Sequence, residues 1–374
     1  MDKYYIATIN AAKFVGSATV RKLLDYFGDA KSVWTAKKDE LMNVGINKNA
    51  FESFIEFRVK NPYAPEKLVE YCVRNNISLC SIVDEDYPPI LKEIQSPPAV
   101  FYYYGELEPF ADRVAMVGTR DNTTYGKRVA LEISEALAAA GVTIVSGAAR
   151  GIDTFSHIGA LKSGRTVAVL GCGINFAFDT PNRTLVKRIA ENGVVMTDYP
   201  PGQNPSAETF PPRNRIIAGL SRGVIVVEAG LKSGAVITST YAGEYGRDVF
   251  AVPGSIFENK SEGCHKLIRD GAILVTCADD ILEFYNVILE KNVQRTDNSL
   301  VDEKSETKRF NSEIVQLEEI EQKIFEVIPS GDFISVDEIL MEIDDVSADE
   351  INSILLKLEM KNCIFENDGS YGRK

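Results

Sequence analysis

The chain has 374 residues, of which 45% are hydrophobic and 25% are charged, and its formal net charge is −13. This is the composition of globular domains, at a length that suits two or three of them, so a disordered, collagen-like or coiled-coil architecture is excluded. No apolar run approaches the roughly 18–20 residues of a membrane span, and no signal-type apolar core follows the first residues, so we expect a cytoplasmic protein without membrane contact.

The acidic charge is concentrated near the C-terminus. Residues 291–374 contain 10 Lys and Arg against 20 Asp and Glu, a net charge of −10, which leaves −3 for residues 1–290. The chain as a whole therefore disfavours a polyanionic partner, whereas residues 1–290 do not. The six cysteines form no C-x-x-C pair and there are only two histidines, so we expect no disulfide, no metal site and no cofactor.

Residues 1–65 have the pattern of a small helical domain. Apolar residues recur at helical spacing through Val20, Leu23 and Leu24, and the pattern breaks at Gly16 and Gly28. Glycine turns of this helix-hairpin-helix kind place backbone N–H groups where a phosphate can bind. A helical bundle used only for packing or dimer contacts explains the pattern equally well.

Residues 66–290 have the pattern of an α/β domain. Short strand-like pieces at 77–80 and 100–104, separated by proline-rich turns, lead into it. Predominantly apolar strands then alternate with amphipathic helices, which predicts an extended Rossmann-like parallel sheet covered on both faces. The predicted strands are Val114–Val117, Thr143–Ser146, Thr166–Leu170, Val194–Thr197, Gly223–Val227 and Asp248–Val252.

The remaining residues predict a linker and a separate domain. Residues 291–313 are polar and charged and are typical of a linker, and residues 314–374 show three short helical periods before a hairpin at Asn367-Asp368-Gly369. This order predicts a winged-helix-like domain. Because its acidic charge repels phosphates, we expect a protein-contact or regulatory role for it.

Ligands of a doubly wound sheet collect at the carboxyl ends of its strands, so the loops there are the candidate site. Gly118-Thr119-Arg120 combines backbone N–H groups, a hydroxyl and a guanidinium before a helix N-terminus. The next such loop contains Ser146, Gly147, Arg150 and Asp153. We expect the two arginines to converge on an anion; a purely structural Arg–Asp pair is the alternative.

Three further loops of this domain carry residues that suit binding. Arg213-Asn214-Arg215 begins a helix after a proline pair, which favours phosphate contacts, and Ser233-Gly234 opens the next helix with backbone donors. Gly171–Phe176 fails as a dinucleotide fingerprint because its sixth residue is Phe. Phe176 and Phe178 either stack on a base or fold back on the core.

Catalytic machinery is not evident in these loops. Glu228 is the only candidate general base, and neither a Ser-His-Asp set nor a phosphate-binding G-x-x-x-x-G-K-[ST] loop occurs, so we expect no enzyme. His157 lies on the apolar side of a helix and is predicted to be a satisfied core histidine. His265 either touches a ligand or caps a turn.

The loop motifs together resemble the DNA-processing protein A (DprA, or Smf) family of bacteria. The resemblance rests on V-G-T-R, S-G-A-A-R-G-I-D, F-P-P-R-N-R-I-I-A-G-L-S, V-V-E-A-G and G-C-H-K-L-I-R-D-G-A, in the family's order within residues 77–282. It implies a homodimer that binds and protects incoming single-stranded DNA during natural transformation and loads the RecA recombinase. The N-terminal helices resemble the family's SAM-like or helix-hairpin-helix module, and the tail its winged-helix domain.

The same resemblance implies a DNA pocket in the Rossmann-like domain. The implied pocket residues are Gly118, Thr119, Arg120, Ser146, Gly147, Arg150, Arg183, Arg213, Asn214, Arg215, Ser233 and Gly234. The sequence departs from the family in having Thr119 for Ser, Phe178-Asp179 for Tyr-Pro and Thr197-Asp198 for Ser-Glu, and none of these changes removes an arginine. Two alternatives stay open: a nucleotide hydrolase of the lysine-decarboxylase-like (LOG) type, whose P-G-G-x-G-T loop is missing near Ser233, and a nucleotide-sensing module.

Overall fold

The computed structural model describes residues 1–109, 111–179, 182–285, 319–329, 334–336, 338–339, 351, 354–355, 358, 364–367 and 370–373. Contacts between residues divide the chain into two units, Met1–Val293 and Gln294–Lys374. None of the helices in the described part is long and apolar enough to cross a membrane.

Six helices begin the first unit. They are α1 (Asp2–Asn10), α2 (Ser17–Phe27), α3 (Ala30–Thr35), α4 (Lys38–Asn43), α5 (Lys48–Lys60) and α6 (Ala64–Arg74). As expected, α2 lies between the two glycine breaks, and Gly28 ends it at φ +84°, a conformation that glycine adopts without steric cost. These helices share one apolar core with the first strands of the sheet, and the boundary near residue 65 stays a prediction.

A nine-stranded sheet forms the rest of the first unit. Its strands are β1 (Ser78–Ser81), β2 (Val100–Gly105), β3 (Arg113–Val117), β4 (Thr143–Ser146), β5 (Thr166–Val169), β6 (Val194–Thr197), β7 (Gly223–Val226), β8 (Asp248–Ala251) and β9 (Ile273–Leu274). The order is β1-β2-β6-β5-β4-β3-β7-β8-β9, and β3 to β9 run parallel. The two pieces expected as a lead-in join the same sheet as antiparallel strands.

Helices cover both faces of the sheet, as the α/β prediction requires. They are α7 (Pro89–Lys92), α8 (Thr124–Ala139), α9 (Ile152–Ser163), α10 (Arg183–Asn192), α11 (Phe210–Gly219), α12 (Gly234–Glu244), α13 (Glu262–Arg269) and α14 (Ala278–Phe284). Successive residues of β3 belong alternately to two apolar clusters, one for each face. From β3 the chain moves to β4, β5 and β6 on one side and returns to β7 on the other, so a crevice is expected between β3 and β7.

The second unit contains α15 (Glu319–Val327) and the strands β10 (Ile334–Ser335), β11 (Ile364–Asn367) and β12 (Ser370–Arg373), in the antiparallel order β10-β12-β11. Ile324, Ile328 and Leu358 are among its fully buried residues. The helix and the hairpin are those of the winged-helix prediction. The predicted linker, and most of the second and third predicted helices, lie outside the described residues.

Candidate nucleic-acid interface

A cleft of about 820 Å³ opens at the carboxyl ends of β3 and β7, where the order of the strands reverses. Its walls are the loop after β3, the start of α11 and the turn from β7 into α12. Seven of the twelve predicted residues line it: Gly118, Thr119, Arg120, Arg213, Asn214, Ser233 and Gly234. The structure therefore brings together residues that are up to 116 positions apart in the sequence.

The lining of this cleft is cationic although the chain as a whole is acidic. Four basic residues, Arg120, Arg213, Lys232 and Lys260, line it together with a single acid, Asp153. Lys260 forms an ion pair with Asp121 at 3.1 Å. Within the described part of the chain, no carboxylate forms an ion pair with Arg120, Arg150 or Lys232. The two lysines were missed by the sequence analysis, because nothing in their local pattern shows that they face the cleft.

The loop after β3 is packed closely against the start of α9. Gly151 has φ +89°, and a Cβ there would lie 2.3 Å from the Thr119 carbonyl oxygen, so only glycine fits. The Ile152 backbone N–H donates to the same oxygen at 3.1 Å. Arg150 Nε donates to the Arg120 carbonyl at 3.2 Å. This contact holds the two exposed arginines side by side, but Arg150 does not line the cleft, and that both converge on one anion stays a prediction.

Arg213 forms part of the floor of the cleft. Only 4% of it is exposed, and its guanidinium donates to the carbonyl of Gly147 at 2.9 Å and to that of Val169. Burial lowers the pKa of Arg213, and the negative charge of Asp153 acts in the opposite direction. A Cβ at Gly147 would lie within 2.7 Å of both side chains, so this glycine is required by their packing. Arg213 braces the strand ends more than it offers a free charge.

Phe210 lies between the two arginines of the cleft. Its ring centroid is 5.1 Å from Arg120 Cζ and 6.0 Å from Arg213 Cζ. Cations at this distance from an aromatic ring are attracted by its quadrupole, which orients the Arg120 side chain. Phe210 was not predicted as a site residue; its position directly before the Pro-Pro-Arg-Asn-Arg run was the available signal.

The N-terminus of α12 forms the opposite wall. Ser233 caps this helix by accepting a hydrogen bond from the Ala235 backbone N–H at 3.3 Å, and Gly234 is exposed. The amide of Asn214 donates to the Gly234 carbonyl at 3.2 Å, which joins α11 to α12 across the cleft. The partial positive charge of a helix N-terminus adds to the cationic character of this wall.

Besides Arg150 and Arg215, three of the predicted residues do not line the cleft. Ser146 is fully buried, and its hydroxyl donates to the Met116 carbonyl at 2.7 Å, which links β4 to β3. Gly147 packs against Arg213 and Asp153 and does not line the cleft. Arg183 is exposed at the first turn of α10. That these residues bind DNA stays a prediction.

Arg215 does not line the cleft, although it lies two positions after Arg213. Its guanidinium forms an ion pair with Asp198 at 2.5 Å and donates to the Ser96 carbonyl at 2.8 Å. Burial raises the pKa of Asp198, and the charge of Arg215 opposes that rise. The arginine therefore joins α11 to the segments before β2 and after β6.

The other candidate side chains have structural partners. Glu228 is 3% exposed and accepts hydrogen bonds from the Thr123 backbone N–H, at 2.9 Å, and from the Thr123 hydroxyl, so it anchors the start of α8. The Phe178 ring packs on Tyr104, with centroids 5.0 Å apart, and Phe176 packs against the core. Both phenylalanines thus fold back on the core.

The two histidines have different surroundings. His157 is fully buried with Nδ1 2.7 Å from the Thr166 hydroxyl, which itself donates to the Ile144 carbonyl, so Nδ1 carries the proton. Its Nε2 has no partner within the described residues, so the ring is only half satisfied. Burial, aided by the charge of Arg213, lowers the pKa of His157 to about 3. His265 Nε2 lies 3.0 Å from the Gly254 carbonyl, which is the turn role expected as one alternative.

Comparison with known proteins finds relatives with the names DprA and Smf. The chain is 40% identical over 288 residues to Protein Smf of Synechocystis sp., covering 75% of this chain and 72% of the relative, and 45% identical over 204 residues to the DNA processing protein DprA of Streptococcus pneumoniae, covering 54% and 72%.

Solved structures of DNA processing protein A are also similar to this chain. The X-ray structure of DprA from Streptococcus pneumoniae is 35% identical with a TM-score of 0.67, covering 76% of this chain and 98% of that one. DNA processing protein A from Helicobacter pylori, whose structure concerns its single-stranded DNA binding mode, is 28% identical with a TM-score of 0.51, covering 56% and 95%. Residues 78–286 match the family model of DNA recombination-mediator protein A. The chain belongs to the DNA recombination-mediator protein A family, whose members include the DNA processing proteins DprA and Smf.

Proposed function

We propose that this chain binds single-stranded DNA in the cleft between β3 and β7. The observation that carries the proposal is the Arg120 side chain, which is exposed, has no carboxylate partner in the described part of the chain and is backed by the Phe210 ring. Arg150 lies beside it, and the N-terminus of α12 faces it across the cleft. Phosphates are the ligands that such unpaired guanidiniums and helix ends bind best.

The size of the cleft favours a single strand. A volume of about 820 Å³ is that of a small-molecule pocket, so it admits a few nucleotides of one strand and not a base-paired duplex. The relative from Helicobacter pylori, whose single-stranded DNA binding mode has been described structurally, supports single-stranded DNA as the ligand. Binding is expected to be tolerant of base sequence and sensitive to salt, because backbone charges dominate it.

The family resemblance supports the rest of the proposal. A homodimer in the cytoplasm would hold incoming single-stranded DNA, protect it from nucleases during natural transformation, and load the RecA recombinase on it. The acidic C-terminal unit, with a net charge of −10 over residues 291–374, would contact a protein and not the DNA.

Fluorescence anisotropy tests the proposal. A labelled oligo-dT and a matched duplex are titrated with the wild-type chain and with the double variant Arg120→Ala, Arg150→Ala. We expect tight binding of the single strand, weaker binding of the duplex, and loss of the single-strand preference in the variant. Equal affinity for duplex contradicts the proposal, and release of free base from a nucleoside monophosphate would support the nucleotide-hydrolase alternative instead.

A further inference from the structure

Two apolar side chains stand out from the surface near the cleft. Phe257 is 88% exposed and Ile256 is 79% exposed, more than any other large hydrophobic residue in the described part of the chain. They lie on the loop after β8, at the same end of the parallel sheet as the cleft. Single exposed apolar residues are common, but an adjacent pair on a loop that continues to the cleft residues Asn259 and Lys260 favours a contact surface.

The loop that carries this pair is fixed by hydrogen bonds. The Tyr125 hydroxyl donates to the Pro253 carbonyl at 2.7 Å, and His265 Nε2 bonds the Gly254 carbonyl at 3.0 Å. The Phe257 backbone N–H donates to the Ser255 hydroxyl at 3.2 Å. A backbone held in this way keeps both side chains in water, and little entropy is lost when a ligand packs on them.

The same loop continues into the wall of the cleft. Asn259 and Lys260 line it, and the Lys260 carbonyl accepts a hydrogen bond from the Ala229 backbone N–H at 2.7 Å. Three residues of chain span at most about 11 Å, so Phe257 lies within that distance of Lys260 along the backbone. Stacked nucleotides of one strand repeat about every 3.4 Å, so a strand bound by Lys260 needs only a few nucleotides to reach Phe257.

The charges beside Phe257 differ from those of the cleft. Glu258 directly follows it and is exposed, which disfavours a phosphate at this point. A base is uncharged and has a flat π-face, so it suits an aromatic ring beside an acid better than a phosphate does.

We propose that Phe257, with Ile256 beside it, stacks on a base of the strand whose phosphates lie in the cleft. The inference rests on the proposed function and extends it, because it assigns a base contact outside the cleft to a residue of the β8–α13 loop. Aromatic stacking does not distinguish strongly among bases, so the contact adds affinity and not sequence specificity.

The affinity of the full chain for oligo-dT gives the first test. Phe257→Ala is expected to weaken binding about fivefold or more, whereas Phe257→Trp, which keeps a stacking surface, retains the wild-type affinity. Tyr63→Ala is the matched control, because Tyr63 is also an exposed aromatic residue (68%), between α5 and α6. An oligomer of the same length built from abasic residues is expected to bind wild type and Phe257→Ala equally.

Fluorescence gives a direct readout of stacking. The single natural tryptophan, Trp34, is buried, so the Phe257→Trp variant adds one exposed indole whose emission can be followed by difference from wild type. Oligo-dT is expected to quench that emission and the abasic oligomer is not. In the Tyr63→Trp control neither oligomer changes the emission.

The outcomes separate this inference from the proposed function. If Phe257→Ala binds oligo-dT as wild type does while Arg120→Ala with Arg150→Ala weakens binding, the stacking contact is wrong and the cleft assignment stands. If neither variant weakens binding, the cleft assignment fails as well. If Phe257→Ala alters self-association in sedimentation and leaves oligo-dT affinity unchanged, the pair serves contacts between copies, which also contradicts the inference.

Discussion

The two ends of the parallel sheet both carry arginines, but the arginines have different partners. At the amino end, Arg222 forms an ion pair with Asp112 at 3.2 Å and Arg247 with Glu93 at 2.8 Å. Arg113, also at this end, is buried and donates to backbone carbonyls of the preceding loop, including that of Ala111 at 3.2 Å. Burial lowers its pKa to about 10. A cavity of about 350 Å³ lies among these residues.

At the carboxyl end, the exposed arginines have no such acids. Arg120 packs on Phe210 and Arg150 donates to a backbone carbonyl, and in the described part of the chain neither meets a carboxylate. The two ends thus differ in which guanidiniums the fold leaves without an acid and not in the presence of arginines, and a net charge of −13 conceals this difference. Under the proposed function, DNA binds at the end where the exposed arginines are unpaired.

The largest expected effect tests whether the cleft floor is structural. Arg213→Met removes a buried guanidinium, leaves the carbonyls of Gly147 and Val169 without their donor and leaves Asp153 without its cationic neighbour. We expect the free energy of unfolding in urea to fall by about 3–5 kcal/mol. Lys232→Met, which removes an exposed cation of the same cleft, is the control and should change the free energy of unfolding by about 0.5 kcal/mol or less. Unfolding of Arg213→Met at the wild-type urea concentration would show that the floor needs no charge.

The buried His157, between α9 and β5, gives the stability a pH signature. His157 has a pKa of about 3 in the folded chain, so between about pH 6.5 and 3 only the unfolded chain binds a proton there. The contribution of the neutral His157 to stability is therefore fully present well above pH 6.5 and falls as the pH decreases, by about 1.6 kcal/mol between pH 6.5 and 5. Urea unfolding at both pH values should show a smaller loss for His157→Gln than for wild type. An equal loss would mean that His157 is protonated in the folded chain.

A matched pair of single variants tests the comparison between the ends. Arg120→Ala should weaken oligo-dT binding about tenfold, because it removes a charge-assisted phosphate contact. Arg222→Ala removes the same side chain at the other end and should leave the affinity within about twofold. The two affinities are measured by anisotropy in one buffer. If Arg222→Ala lost as much oligo-dT affinity as Arg120→Ala, the two ends of the sheet would not differ in DNA binding.

The smallest expected effect concerns the acidic C-terminal residues. Deleting residues 291–374 removes a net charge of −10 but none of the residues that line the cleft. The affinity for oligo-dT, measured by anisotropy, should therefore change less than tenfold. Any gain in affinity should be largest at low salt, where charge repulsion acts over a longer range. A tenfold weakening would place DNA contacts in this part of the chain.

Much of the fold could be predicted because short-range patterns decide it. The run at 114–117 is fully apolar and the run at 143–146 is apolar at its two central residues, a pattern typical of strands buried on both faces. Gly118 and Gly151 lie in loops that the pattern of strands and helices predicts, and in the structure a Cβ at either position would lie 2.5 Å or less from a neighbouring atom. The antiparallel pairing of β1 and β2 was missed, because which strand a segment pairs with depends on the whole sheet.

The site was predicted less completely, because burial and partners are tertiary properties. The sequence treats Arg213 and Arg215 alike, yet one forms the cleft floor and the other pairs with Asp198. Phe210 and Lys260 were missed, because contact with the cleft follows from the packing of elements distant in sequence. Patterns of residue type locate the loops, and the structure then decides which side chains face the cleft.

The most direct test of the central claim is the salt dependence of single-strand binding. The logarithm of the oligo-dT affinity is plotted against the logarithm of the salt concentration for wild type, for Arg120→Ala with Arg150→Ala, and for Arg222→Ala. Each phosphate contact contributes a slope of about −0.7 for a single strand. We expect the double variant to lose about 1.4 from the steepness of the slope and Arg222→Ala to keep the wild-type slope. An unchanged slope in the double variant would contradict the assignment of the DNA phosphates to this cleft.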